Sequence, residues 1–298
     1  MELAVVDNSL TRSNSSPPSE RVVAAPFTDS ANLGAYDVYA LTDIGNEREN
    51  NEDCVGFSYE SSNALVLVVA DGVGGYEGGE QASRMAVDVT LASYREQGVE
   101  VSPEKRLYRA AQQANIEIYD RAIVVTELRS MSTTLTAVAI EEGMLHAAHV
   151  GDSRLYLVRG GKITQVTKDH TIIAERVRQK RMSAEKARQH PDRGTLTRSL
   201  GRELIAAVDR ITLPVESGDV LVLCTDGMYN ILEESEFVEL TAEGSAEVIA
   251  RRLIDTANEK GTYDNLSAVV CRIVGELPAR AESTSWRKRL RAWLNSRS

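Results

Sequence analysis

Four short acidic clusters sit where the chain turns: Glu52 and Asp53 in NNED, Asp71 in VVADGVGG, Asp226 in VLCTDG and Asp264 in GTYDNLS. Three of them directly adjoin an apolar, strand-like run. Carboxylates gathered at strand ends repel one another unless cations hold them, and hard divalent ions such as Mg²⁺ or Mn²⁺ prefer oxygen ligands. The arrangement points to metal-dependent hydrolysis on a sheet scaffold.

Each cluster carries a different weight. Arg48, closely followed by Glu52 and Asp53, fits a surface salt-bridge cluster as well as it fits a site. Asp71-Gly72 shifts the balance, because a carboxylate after LVLVVA stands at the mouth of a buried strand, where an unpaired charge is costly. Gly72 has no side chain, so its carbonyl can approach a cation closely. VLVLCTDG and DNLSAVV repeat the logic, each with an aspartate at the end of an apolar strand.

The elements that must position these residues are legible as patterns. YDVYALT (36–42) alternates as a strand, and NALVLVVAD (63–71) reads as a buried central strand. After a glycine-rich turn, residues 79–98 have helical spacing, with an apolar face of Ala82, Met85, Ala86, Val89, Leu91 and Ala92. A second helix is expected from Pro103 to about Ile123, with Ser102 as its cap and Leu107, Ala110, Ala111, Ala114, Ile118 and Ala122 as its buried stripe. TTLTAVAI, MLHAAHVG and SRLYLVRGG follow as strands joined by hairpin turns. Residues 171–192 are charged and helical, broken near Met182 and Ser183, with Ser183 a cap for a second short helix. LIAAVDRITL, DVLVLCTD and LSAVVCRIV read as strands, and 245–260 as a long amphipathic helix. No internal repeat is visible. Two groups of strands and two pairs of helical regions imply a layered α/β domain whose sheets meet in the middle.

At 298 residues, with 42% hydrophobic and 26% charged content, the chain can bury a substantial core and falls in the range of soluble proteins. A formal net charge of -10 argues against nucleic acid as a partner. No run has the length needed to cross a bilayer, and the first thirty residues lack the basic start and continuous apolar core of a secretory leader. Cys54, Cys224 and Cys271 are too scattered for a disulfide framework or thiolate zinc site, and read as buried, inert thiols. The expected compartment is the cytoplasm.

Three segments follow from composition. Residues 1–33, rich in Ser, Pro and Asn, are expected to be a flexible lead-in, although VVAAPF could pair on a sheet edge. Residues 34–275 form the folded domain. Residues 276–298 are a tail in which Trp286, Leu290, Trp293 and Leu294 recur at helical spacing among five Lys or Arg and no acid from Trp286 onward. Such a helix could lie on the anionic surface of the inner membrane, dock on an acidic partner, or pack back on the domain.

At these residues the chain resembles the metal-dependent protein serine/threonine phosphatases of the type 2C class, in particular their bacterial members. The resemblance runs from 36 to 274 through TDIGNERENNED, VVADGVGG, the STT turn, HVGDSRLYL, TKDHT, LTRSLG, LVLCTDG and DNLSAVV, in that order. It implies a central sandwich of two mainly antiparallel sheets flanked by helices on both outer faces, a four-layer α-β-β-α arrangement, with residues 171–195 as a helical flap. It implies that Asp53, Asp71, Asp226 and Asp264 are direct ligands of a two-ion Mn²⁺ or Mg²⁺ centre, completed by the carbonyl of Gly72. Glu52 would hold a metal-bound water, Arg48 would clamp phosphate oxygens, and Asn265 would steady Asp264. Asp152, with Asp226, resembles the pair that binds a weaker third ion, while GDSR alone also suits a hairpin turn.

The implied activity is hydrolysis of phosphoserine and phosphothreonine in proteins by a metal-activated water, in a monomer that reverses a bacterial Ser/Thr kinase and acts on that kinase and its substrates. Val73 stands where several eukaryotic members carry a histidine, so the leaving oxygen must be protonated by another group. Ser132 replaces a glycine common in relatives. His170 and His190, at the two ends of the insertion, are expected to have structural roles, and the basic residues between them could meet acidic phosphopeptides or form a solvated face. Two readings compete: a non-catalytic phosphatase-like module that binds phosphoproteins, and a two-metal hydrolase of nucleotides, for which neither a base pocket nor a basic groove is visible.

Overall fold

Strand β5 (Leu65–Val73) shows why an uninterrupted apolar run suits this architecture. Leu65, Leu67 and Val69 point to one side, into a core shared by two sheets, while Val66, Val68 and Ala70 point to the other, against helices. A strand buried on both faces needs no polar alternation. The computed structural model describes residues 4–5, 22–25, 34–59, 64–74 and 78–277.

The first sheet is built from β1 (Ala4–Val5), β4 (Asp53–Tyr59), β5, β7 (Leu135–Glu141), β8 (Met144–Val150) and β11 (Asp209–Pro214), in that spatial order, with β6 (Ser132–Thr133) on the end of β5. The second runs β10 (Lys162–Gln165), β9 (Arg154–Arg159), β12 (Val220–Cys224), β13 (Leu266–Ile273), β3 (Tyr36–Asp43) and β2 (Val22–Ala25). Every pairing is antiparallel. The sheets meet through Val55, Phe57, Leu67 and Val138 on one side and Val38, Leu155, Leu223 and Val269 on the other. Helices α1 (Gly78–Glu96) and α2 (Pro103–Val124) cover the first sheet, and α7 (Ala246–Glu259) covers the second through Ile249, Leu253 and Ile254. The four-layer α-β-β-α expectation is met.

The hairpins between β7 and β8 and between β9 and β10 turn through Glu142-Gly143 and Gly160-Gly161, all four with positive φ. That is the tight-turn geometry whose twist matches the flanking strands. Between β10 and β11 lie α3 (Ile172–Arg178), capped by the side chain of Thr171, and α4 (Ala184–Arg188), capped by Ser183 as the break in the charged segment predicts. Short α5 (Asp226–Tyr229) and α6 (Glu234–Thr241) follow β12.

Several details differ from the expectations. Residues 204–208 do not extend β11. They form a loop pinned to α2, where Gln112 pairs with both backbone groups of Ala206 and the Asn115 amide donates to the carbonyls of Glu203 and Leu204. The buried face of α1 also includes Ser83, Val87, Thr90 and Tyr94, because α1 packs on α2 as well as on the sheet, while Met85, Val89 and Ala92 lie at its margin. Ser102 stands at the N-cap of α2, but its side chain makes no capping hydrogen bond; Pro103 at the first position lacks an N–H that would need one. VVAAPF does contribute an edge strand, β2, paired with β3. The amphipathic tail from Trp286 to Ser298 and most of the N-terminal lead-in lie outside the described residues.

Candidate metal centre and active site

Antiparallel neighbours start and finish at the same end of a sheet, and this brings the acids together. Strand β4 begins at Asp53 where β5 reaches Asp71, and these two residues are direct cross-strand partners. In the second sheet β12 ends just before Asp226, next to the start of β13 after Asp264 and Asn265. Asp152 lies in the turn from β8 to β9. A pocket of about 690 Å³ opens at this end, lined by Arg48, Glu52, Asp71, Gly72, Thr134, Asp152, Asp226, Asp264 and Asn265 among others. Asp53 lies beneath it, 2% exposed.

Hydroxyl and amide groups fix the acids. Thr225 Oγ1 donates to Asp53 Oδ2 at 2.7 Å and accepts from the Ser267 N–H at 3.1 Å, tying β4 to the second sheet. The Asp71 N–H donates to Thr134 Oγ1 at 2.9 Å, and its carbonyl accepts from Thr133 Oγ1 and the Thr134 N–H. Asn230 donates to Asp226 Oδ2 at 3.0 Å from the next turn. Asn265 joins three segments: its amide donates to the carbonyls of Ile44 and Asn50, its Oδ1 accepts from the Glu52 N–H, and its own N–H meets Asp264 Oδ1. Arg48, half exposed at the mouth, lies 2.9 Å from Asp264.

Gly72 has a packing reason for its identity besides the one expected. A Cβ there would lie 2.1 Å from the Gly79 carbonyl oxygen and 2.7 Å from that of Glu52, so only glycine lets α1 start against the end of β5.

Burial pushes the Asp53 carboxyl above the usual carboxylate range despite the hydrogen bonds from Thr225 and Ser267, and Asp264 and Asp226 add to the rise. Burial likewise raises Asp71, followed by the charges of Asp53, Asp226 and Asp152. Asp152 is raised by burial and by Asp226 and Asp169, against the pull of Arg154. Asp226 is raised by burial and Asp264, and Glu52 by burial with Arg48 opposing. Each acid therefore makes its neighbours harder to ionise, a cost that cations offset.

Among the described residues, no three acids, histidines or cysteines converge closely enough to grip an ion in their present rotamers. Asp264 is turned onto Arg48 and Asp53 onto Thr225. The mutual charge effects and the shared pocket weigh more than that separation, because rotating a carboxylate moves its oxygens by ångströms while the backbone stays in place. An all-oxygen donor set of clustered, buried carboxylates fits hard divalent cations.

The sandwich and its acidic pocket define a class, the two-sheet hydrolases that work through oxygen-bound metal ions. Comparison narrows this. The family profile for protein phosphatase 2C matches residues 46–271. A serine/threonine phosphatase, stp, of Listeria monocytogenes is 34% identical over 233 residues, covering 77% of this chain and 92% of that protein. The crystal structure of Mycobacterium tuberculosis PstP/Ppp superposes with a TM-score of 0.73 at 31% identity, over 80% of this chain and 99% of that one. The catalytic domain of a phosphatase PstP in complex with two manganese ions gives a TM-score of 0.71 at 30% identity, over 80% and 99% of the two chains. The chain belongs to the protein phosphatase 2C family. It is a metal-dependent protein serine/threonine phosphatase.

Sequence reasoning missed the supporting hydroxyls. Thr225 precedes Asp226, Ser267 follows Asn265 by two residues, and Thr134 closes the STT turn, so a hydroxyl close to each acidic motif was the available signal. It also missed a partly buried cluster next to Asp152, where Arg154 pairs with Asp169 at 2.7 Å and stacks 3.5 Å over the Tyr229 ring. His170 does not line the pocket. It is buried, its Nδ1 accepts from the Gly151 N–H and its Nε2 lies 3.2 Å from Asp209. The three cysteines are buried free thiols, and burial pushes Cys224 up to about 12.

Proposed function

We propose that Asp53, Asp71, Asp226 and Asp264 hold two divalent ions, Mn²⁺ or Mg²⁺, with the Gly72 carbonyl completing the set, and that Asp152 with Asp226 holds a weaker third. When bound, the ions lower the pKa of an attacking water and neutralise charge on the phosphoryl group. The observation that carries this reading is the direct cross-strand pairing of Asp53 with Asp71, in a pocket where further carboxylates raise both.

The chain's own groups do the rest. Arg48 sits at the mouth on Asp264 and can swing to take two phosphoryl oxygens, a geometry its planar fork suits. Asp264 and Glu52 beside it raise its pKa against the effect of burial, so it stays charged throughout. Glu52, at the rim, orients water on the side facing the phosphorus. Asn265 keeps the Arg48 loop and Asp264 in register. Among the described residues lining the pocket there is no histidine, and Val73 is exposed near its mouth, so the leaving serine or threonine oxygen takes its proton from water or another group of the pocket.

The physiological reading is a monomeric cytoplasmic enzyme that reverses a bacterial Ser/Thr kinase, with that kinase and its substrates as partners and the tail from Trp286 available for docking on a membrane surface or protein. Among the described residues, no helix is long and apolar enough to cross a membrane. The test is phosphate release in Mn²⁺ from matched phosphoserine, phosphothreonine and phosphotyrosine peptides. Turnover of the first two, well above the third, is expected; equal or preferential turnover of phosphotyrosine would contradict the reading.

A further inference from the structure

Strand register brings Asp152 and Asp226 to the same end of the second sheet. Arg154 on β9 pairs with Cys224 on β12, so each aspartate stands two residues beyond that pair, one ahead of β9 and the other after β12. Both line the catalytic pocket. Past the pair the two backbones part, Asp152 into the turn from β8 and Asp226 into α5. From there on, side chains set the gap between the two acids.

The turn is anchored on both sides of Asp152. Ser153 ties it to the first sheet: its Oγ lies 2.6 Å from Thr134 Oγ1, the hydroxyl that also accepts from the Asp71 N–H, and its carbonyl accepts from Thr136 Oγ1 at 3.0 Å. Arg154 ties it to α5. Its guanidinium carbon is 3.5 Å from the centre of the ring of Tyr229, the last residue of the helix that Asp226 opens. The edge of the guanidinium is held independently of α5, because Nε and Nη2 donate to Asp169 and Nη1 donates to the Tyr156 hydroxyl at 2.7 Å. Asp169 is itself held by the Gln165 amide at 2.7 Å, and Tyr156 packs 5.0 Å from the Phe237 ring. On the other side, α5 is seated in the core under α7 by fully buried Met228. The Arg154–Tyr229 stack therefore joins two bodies that are each fixed on their own. Burial and then the charge of Asp152 raise the Tyr229 phenol, with Asp226 contributing, so the ring lies near both acids.

We propose that Tyr229 is a positioning residue of the weaker metal site: by clamping Arg154 it fixes the span between Asp152 and Asp226 that the third ion bridges. The proposal rests on the third-ion reading above. The ring face makes the contact, and attraction of a guanidinium to it requires an aromatic side chain but no hydroxyl. Removing the ring leaves Arg154 on Asp169 and α5 in its core, but uncouples the two. The loss therefore falls on the Asp152–Asp226 span and spares the Asp53 and Asp71 side of the centre.

The experiment is a calorimetric titration of the full chain with Mn²⁺, comparing the wild type with Asp152→Asn, Tyr229→Phe, Tyr229→Leu and Arg154→Lys. The wild type is expected to bind two ions tightly and one weakly, and Asp152→Asn identifies the weak ion by losing it. Tyr229→Leu is expected to weaken that ion about tenfold or more, the scale for losing an outer partner of a metal ligand, and to leave the two tight ions unchanged. Tyr229→Phe, which keeps the ring, should match the wild type. Arg154→Lys tests the contact from its other side, because lysine keeps the charge and loses the stacked plane, and should weaken the same ion. Thermal midpoints in chelator establish that each variant is folded. A weak ion held as tightly by Tyr229→Leu or by Arg154→Lys as by the wild type would overturn the proposal, as would equal weakening in Tyr229→Phe or a loss shared by the tight ions. A wild type that binds only two ions would instead overturn the third-ion reading, and the positioning role with it.

Discussion

Arg48 is the cation placed closest to the acids at the mouth of the pocket, and its partner Asp264 is itself assigned to the metal centre. A phosphate dianion approaching this cluster of carboxylates is repelled unless positive charge meets it, so the guanidinium has a role in the transition state that no neutral side chain fills. Arg48→Ala is expected to lower kcat/KM on a phosphothreonine peptide by about 10²-fold, the usual scale for losing one preorganised donor. Because Arg48 is half exposed, the variant is expected to keep a wild-type thermal midpoint. Unchanged kcat/KM would remove Arg48 from the site. At this scale the acids were readable from sequence because each aspartate stands beside a glycine or asparagine at the end of an apolar run. The hydroxyls that hold them were not, since Thr and Ser are ordinary strand residues and Thr225 meets Asp53 only across 172 positions of chain.

At the level of elements, the junction of β5 with α1 is where fold and site constrain each other most tightly. Gly72 lies between Asp71 and the start of α1, with the Gly79 and Glu52 carbonyls where a Cβ would go. Gly72→Ala is expected to cost about 3 kcal/mol, at the upper end for forcing atoms into a packed site, measured by urea unfolding. Separation of α1 from β5 would also displace Asp71 and Glu52, so activity should fall with stability. A variant as stable as the wild type would show that the junction yields freely. The elements themselves were legible wherever one periodicity dominated. Strand β5 declared itself by its unbroken apolar run and α2 by its alanine stripe. Leu204–Val208 did not, because an apolar stretch looks the same whether it pairs in a sheet or is tethered by Gln112 and Asn115.

Across the whole molecule, a polar seam runs between the first sheet and the base of the α3–α4 insertion. Buried His149 lies in it, bonded to Thr136 and the Lys168 carbonyl and stacked 4.8 Å from His170. Burial, then the proximity of His170, lowers its pKa to about 4. A histidine unfolds to a pKa of about 6.5, so above that value it is neutral in both states and costs nothing. As pH falls from about 6.5 towards 4, the unfolded chain binds a proton that the folded chain excludes, and stability is lost. Between pH 7 and pH 5 this group alone is expected to remove about 2 kcal/mol, an order-of-magnitude figure at 1.36 kcal/mol per pH unit. Urea unfolding of the wild type and His149→Gln at both pH values checks this: the variant should lose less on acidification, and parallel losses would contradict it.

The account's central claim is that one end of this sandwich is a divalent-metal centre that hydrolyses phosphate esters. The most direct test is phosphate release from a phosphothreonine peptide with Mn²⁺, with Mg²⁺ and with chelator, comparing the wild type with Asp226→Ala. The account predicts turnover that requires the metal and is lost in the variant, while the fold of the variant, followed by circular dichroism, is retained. Turnover that survives chelation, or that Asp226→Ala leaves intact, would contradict it.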